Sequence, residues 1–365
     1  MQDFIITATR SMLSYADEVV RHITKFPQFR PFADAINGVE LLKTDTFADG
    51  EMEVVIKESI RGKNIFLFTG CARNAANIGI NEAKIELYHT IDALKRGQGG
   101  VITVFEPFVS CSRSDRAARR SSVGLWVHLK TLTGLGVHHF ITYQLHSDKS
   151  KTMLDPTVCV IDDIPAYTLL KRYLCDHFIR HIDVLNNDIR KNWAFCSVDA
   201  GGEKLARDFA NTFGAPLVVA HKQRDYSKAN TIESVNILSS EPLEGKTLWI
   251  VDDMVDTGGS VISLIHALEK HRPKEVNIII MHAIFSGNAS EYMNRLSAEG
   301  LLKRIVASDT VYRPCLAHEI GCLQVVPSAE LSAQIISNIV TNAPMSRLFK
   351  AFNAEKYLTS PNLFN

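Results

Sequence analysis

Asp252 and Asp253, followed after Met254-Val255 by Asp256-Thr257-Gly258-Gly259-Ser260, place two hydrogen-bond acceptors next to a short run built to donate. Consecutive N–H groups in a Gly-Gly turn and at a helix start point at an anion, and glycine lets the backbone come close to it. Thr257 and Ser260 add hydroxyl donors, so the run suits a monoester phosphate. The paired carboxylates cannot hold phosphate, but they can accept from vicinal ribose hydroxyls and help hold a magnesium ion. Each half alone has a plainer reading, since acidic residues at a strand end often cap the next turn and Asp-Thr-Gly is common turn chemistry. Together they point to phosphoribosyl chemistry. The run lacks the Gly-Lys-[Ser/Thr] ending of a Walker A loop, which argues against a P-loop nucleotide triphosphatase.

A strand and a helix must position this run. Leu248 to Val251, with Trp249, has β-propensity, and Val261, Leu264, Ile265 and Leu268 recur at helical spacing, which predicts strand, loop, helix. Apolar runs and helical patterns alternate elsewhere too. Asn64 to Phe68, Val101 to Phe105, His139 to Tyr143 and Ala194 to Val198 read as strands; Ala83 to Leu94, Leu125 to Leu132, Lys204 to Phe213 and Ala329 to Ile339 read as helices. Alternation of this kind predicts an α/β fold with a mostly parallel sheet flanked by helices, occurring twice. A boundary is expected near residues 156–165, giving an N-terminal domain over 1–160, a C-terminal domain over 161–349 and an appendage over 350–365 expected to be poorly ordered, as chain ends usually are.

At 365 residues the chain is long enough for two domains with separate cores. Lysine plus arginine equals aspartate plus glutamate at 40 each, so nothing in the bulk charge favours nucleic acid or membrane as a partner. The seven cysteines are scattered without a Cys-x-x-Cys pair, which suits reduced thiols in a cytoplasmic protein rather than a disulfide framework or a zinc site. The N-terminus carries an acid where a signal peptide would be basic, and the longest apolar stretch, Val276 to Phe285, falls short of membrane-spanning length.

The Asp252 to Ser260 run resembles the signature shared by type I phosphoribosyltransferases and ribose-phosphate pyrophosphokinases. Further segments resemble the second family in its order and spacing: Thr46 to Glu51, Ile91 to Arg96, Ser112 to Arg116, Leu145-His146, Val198 to Gly202 and Ile284 to Ala289. The resemblance runs from about residue 40 to about residue 349. It implies two phosphoribosyltransferase-type domains and transfer of the pyrophosphoryl group of ATP to ribose 5-phosphate, with magnesium as cofactor. It also implies roles. Phe47, Asp49 and Glu51 would take the adenine of ATP and Arg113 the nucleotide phosphates. Asp252 and Asp253 would take the ribose hydroxyls of ribose 5-phosphate, and Asp256, Thr257, Gly258, Gly259 and Ser260 its phosphate. His146 and Asp199 would be linked to the metal, and Lys222 and Arg224 would be the catalytic cations of a mobile loop. A homo-oligomer is implied, with the dimer of the family's usual hexamer carried over more securely than the hexamer.

The chain departs from the family pattern in places. Gln144 stands where most members have aspartate before Leu-His, which predicts weaker metal affinity, and Ser114 replaces a glutamine beside Arg113. Ser147 to Leu154 replaces a glutamine and phenylalanine pattern tied to subunit contacts and regulation, so effectors are not carried over. Two other functions remain open at this point. A type I phosphoribosyltransferase would explain Asp252 to Ser260 but not residues 40–150, and a catalytically silent regulatory homologue would explain Gln144.

Overall fold

The computed structural model describes residues 3–72, 74–117, 120–224 and 232–360, and of residues 222–224 and 232–234 the backbone alone. The chain divides into two compact units. The first comprises residues 1–165 together with 310–314 and 327–349; the second comprises 166–309, 315–326 and 350–365. Where the sequence suggests a single boundary near 156–165, two later segments join the first unit, among them the helix Ala329–Val340. Its apolar residues, including Leu331, Ile335 and Ile336, are buried, and the Tyr15 hydroxyl meets Ser328 Oγ and Ser332 Oγ at 2.8 Å each.

In the first unit, β1 (Phe4–Ala8), β4 (Asn64–Phe68), β5 (Ile102–Phe105), β6 (His139–Tyr143) and β7 (Val160–Ile164) form a parallel sheet in the order β1-β4-β5-β6-β7. Its inner strands are almost uninterrupted apolar runs because both faces are covered. The helix Ile80–Arg96 buries Ala83, Leu87, Ile91 and Leu94, and the helix Gly124–Gly134 buries Leu125, Leu129 and Leu132. These spacings are the helical stripes read from the sequence. Outside the sheet, β2 (Leu42–Thr46) and β3 (Met52–Ile56) pair antiparallel.

The second unit carries β8 (Trp193–Ser197), β9 (Leu217–Arg224), β10 (Ile232–Ser239), β11 (Thr247–Val255), β12 (Glu275–Ala283), β13 (Arg304–Ser308) and β14 (Leu323–Val326). The order is β10-β9-β8-β11-β12-β13-β14, parallel throughout except for the β9-β10 hairpin. The chain leaves β8 toward β9 on one side and continues from β11 toward β12 on the other. The β8-β11 seam is therefore the point where strand order reverses, and ligands of open α/β sheets bind outside the carboxyl ends of the strands at such a point.

The C-terminal appendage is more structured than a chain end usually is. Asn353 caps a helix over Ala354–Thr359 by accepting from the Lys356 N–H at 2.8 Å. Buried Tyr357 accepts from Arg172 Nε at 2.8 Å and donates to Asp176 Oδ1 at 2.9 Å, which docks the helix within the second unit.

Candidate active site

The second unit builds its site at the β8-β11 seam. Val251 is in register with Ser197, so the chain beyond β8 runs alongside Asp252 and Asp253 and brings Asp199 into electrostatic reach of Asp252. Burial, and then the charges of Asp253 and Asp199, push the Asp252 carboxyl up to about 8. The Asp253 N–H donates to Asp252 Oδ1 at 3.0 Å, and the Gly202 N–H donates to Asp199 Oδ1 at 3.1 Å, which fixes both acids. Unlike the sequence-based expectation, β11 does not stop before the carboxylates but continues to Val255. Met254 and Val255 are buried, and the ladder with β12 runs on to Val255 and Ala283.

Past β11 the phosphate run folds as expected. Gly258 precedes the helix Gly259–Glu269 with φ +80°, a conformation other residues take only under strain, and a Cβ there would lie 2.9 Å from Met293 Cε. The first N–H groups of this helix have no partner within it, so they face outward beside Thr257 and Ser260. The N–H groups of Phe285 and Ser286 donate to the carbonyls of Val255 and Asp256 at 3.0 Å each, holding the far wall of the loop. The Gly258 turn and the start of the helix thus follow the Asp252 and Asp253 carboxylates directly along the chain.

In the first unit, Phe47, Asp49 and Glu51 share the tip of the β2-β3 hairpin. The Phe47 N–H donates to the Glu51 carbonyl at 2.8 Å, and Gly50 takes φ +93° to close the turn. Phe47 is 52% exposed, an aromatic face presented to solvent and suited to stacking. The Asp49 carboxylate also has a local task, accepting from the Glu51 N–H at 3.1 Å. Arg113 is exposed on the loop after β5. Ser114, the departure beside it, accepts from the Gly124 N–H through its Oγ at 3.0 Å and so ties this loop to the following helix. His146 is exposed just beyond β6, and the preceding Leu145 N–H donates to Asp163 Oδ1 at 2.9 Å. Asp163, which falls in the expected boundary segment 156–165, is a buried anchor on β7.

The expected site residues thus fall into two groups. Asp199, Asp252, Asp253 and the phosphate run come together in the second unit, whereas Phe47, Asp49, Glu51, Arg113 and His146 belong to the first. The backbones of Lys222 and Arg224 lie on β9 rather than in the expected loop; their side chains, with Asp225 and Tyr226, lie outside the described residues. Among the described residues, no three His, Cys, Asp or Glu side chains form a group that could hold a metal unaided. The acids present fit magnesium nonetheless, because it is commonly held by one or two carboxylates with waters and substrate phosphates. Burial, and then the neighbouring carboxylates Asp253 and Asp199, disfavour the ionised form of Asp252, a cost that a divalent cation would offset. No described helix is long and apolar enough to cross a membrane.

Two parallel-sheet units, one with the Gly258 turn and acids at its switch point, define a phosphoribosyl-type α/β protein. Residues 4–136 match the N-terminal domain of ribose phosphate pyrophosphokinase, and residues 174–311 match the phosphoribosyl transferase domain. The chain is 31% identical over 330 residues to ribose-phosphate pyrophosphokinase 2 of Enterococcus faecalis, covering 90% of this chain and 94% of that one. It is 30% identical over 311 residues to the ribose-phosphate pyrophosphokinase of Mycoplasma pneumoniae, covering 85% and 88%. The crystal structure of phosphoribosylpyrophosphate synthetase from Mycobacterium smegmatis superposes with a TM-score of 0.76 at 25% identity, covering 93% of this chain and 100% of that one. The chain belongs to the ribose-phosphate pyrophosphokinase family. A single-domain phosphoribosyltransferase leaves residues 4–136 unexplained.

Proposed function

We propose that the chain transfers the pyrophosphoryl group of ATP to the anomeric hydroxyl of ribose 5-phosphate, releasing AMP and 5-phosphoribosyl 1-pyrophosphate, the activated sugar of nucleotide biosynthesis. The observation that carries this reading is the cradle at Gly258 beside the Asp252 and Asp253 carboxylates, in a chain that also has the family's N-terminal domain. Asp256 to Ser260 take the 5-phosphate, while Asp252 and Asp253 accept from the ribose hydroxyls and thereby orient the sugar. Phe47 stacks on adenine, Glu51 and Asp49 face its amine, and Arg113 offers a planar set of donors to the nucleotide phosphates. Magnesium, when bound, neutralises the triphosphate charge, with Asp199 and His146 as the protein groups linked to it. Lys222 and Arg224 supply positive charge where it accumulates on the migrating group. The chain works in the cytoplasm as a homo-oligomer. With purified protein, ATP and magnesium, AMP is expected to form only when ribose 5-phosphate is present; no sugar-dependent AMP at any magnesium concentration would favour the silent regulatory homologue.

Gln144 gives this reading a sharper test. It sits at φ +56°, where aspartate is tolerated better than glutamine, and its N–H donates to the Ile164 carbonyl at 3.2 Å. Gln144→Asp is therefore expected to shift half-saturation by magnesium to lower concentration, by about threefold or more, without lowering the melting temperature. An unchanged magnesium midpoint in activity titrations would put position 144 outside the metal's reach and weaken the case for His146.

A further inference from the structure

We propose that Glu106 and His128 form a buried positioning pair for the loop that carries Arg113, so that the grip on the nucleotide depends on two residues that need not touch it. The inference rests on the reading that Arg113 meets the nucleotide phosphates. Glu106 directly follows β5 and is 0% exposed; His128, on the helix Gly124–Gly134, is 1% exposed. Glu106 Oε2 lies 2.8 Å from His128 Nε2, and Glu106 Oε1 accepts from the Ser110 N–H at 3.2 Å. On the other side of the ring, His128 Nδ1 lies 2.9 Å from the Tyr88 hydroxyl on the helix Ile80–Arg96. The ring thus bridges the Tyr88 hydroxyl and the Glu106 carboxyl group. The Glu106 carboxyl group in turn ties the ring of one helix to the backbone of one loop.

Packing alone does not call for this arrangement. Burying a carboxyl group costs free energy before its partners offset it, and apolar residues of the same volume would fill the space with no such cost. What the carboxyl group gains is a tether for the Ser110 backbone, further along the loop than Pro107, whose carbonyl accepts from the Tyr143 N–H of β6 at 3.2 Å. The Glu106 N–H donates to the Ile141 carbonyl at 3.0 Å; Pro107 has no N–H, and the Ser110 N–H turns to the carboxylate. Beyond it, Ser112 N–H donates to the Val109 carbonyl at 3.3 Å and Ser114 N–H to the Cys111 carbonyl at 2.8 Å. Ser114 Oγ then accepts from Gly124 N–H at 3.0 Å. Arg113 lies between two of the loop's anchors, Ser110 on Glu106 and Ser114 on the start of the helix bearing His128. The Glu106–His128 contact closes that circuit and fixes where the guanidinium stands.

The test is steady-state kinetics of the full chain with ATP, magnesium and ribose 5-phosphate, on Glu106→Leu, Glu106→Gln, Tyr88→Phe, Arg113→Ala and the double variants with Arg113→Ala. Glu106→Leu is expected to raise KM for ATP about 10-fold while KM for ribose 5-phosphate stays within about twofold. Glu106→Gln, which keeps an acceptor for Ser110, should recover most of the loss. Because the pair acts through Arg113, each double variant should be no worse for ATP than Arg113→Ala alone. Should Glu106→Leu not fold, Tyr88→Phe carries the same test, with an expected rise of about threefold in KM for ATP and the same lack of additivity. Parallel rises in both KM values, a fall in kcat alone, or additive losses in the double variants would overturn the proposal. If Arg113→Ala raises KM for ATP but neither Glu106→Leu nor Tyr88→Phe does, only the positioning pair fails. If Arg113→Ala itself leaves KM for ATP unchanged, the nucleotide reading of Arg113 fails and the proposal falls with it.

Discussion

Alanine at Lys222 or at Arg224 is expected to lower kcat by about 100-fold or more in each case, with Michaelis constants for both substrates within a few-fold of the parent. The argument is electrostatic. Pyrophosphoryl transfer leaves little covalent work for the protein, so the rate depends on aligning the two substrates and on placing cations where charge develops. A cation whose contacts strengthen only at the transition state shows itself in kcat, whereas one that anchors a substrate throughout shows itself in KM. Unchanged kcat with raised Michaelis constants would make these residues substrate anchors. Arg224→Lys separates charge from geometry, because lysine restores the charge but not the planar donor set.

Asp252→Asn is expected to move activity and stability in opposite directions. Above pH 8, where the Asp252 carboxyl is ionised, loss of this charged acceptor for the sugar hydroxyls should lower kcat/KM for ribose 5-phosphate by about 10- to 100-fold, the equivalent of one charged hydrogen bond. Stability should rise. Burial and the neighbouring Asp253 and Asp199 push Asp252 from 3.8 to about 8 in the folded chain, so between these values the folded state binds a proton more readily than the unfolded one. That contribution to stability is fully present below about pH 4 and is lost as pH rises through 8. Thermal unfolding of the ligand-free protein should therefore show a gain of several degrees for the variant at pH 8, shrinking toward pH 4. A variant less stable than the parent at pH 8 would mean that Asp252 is held by partners that favour its charge.

The parts of this molecule that repeat a local rule were legible in its sequence. Asn64 to Phe68 and His139 to Tyr143 are strands over the residues read as such, because their neighbours cover them on both faces. The helix stripes of Ala83 to Leu94 and Lys204 to Phe213 also lie where their spacing put them. Tertiary context decided the rest. β11 runs through Asp252 and Asp253 because β12 continues to pair with it, which no propensity of two aspartates would predict. The appendage forms a helix because Tyr357 finds Arg172 and Asp176, residues 185 and 181 positions away. Glu106 and His128 are 22 positions apart, and each alone is an ordinary residue at a strand end or on a helix; only the fold makes them a pair.

The central claim is that the pyrophosphoryl group moves as a unit. Product analysis with ATP labelled at the β-phosphate, in the presence of magnesium and ribose 5-phosphate, tests it most directly. The account predicts one AMP for each 5-phosphoribosyl 1-pyrophosphate formed, with all transferred β-label on the sugar and no ADP. Formation of ADP with the β-label retained in the nucleotide would show ordinary phosphoryl transfer and contradict it.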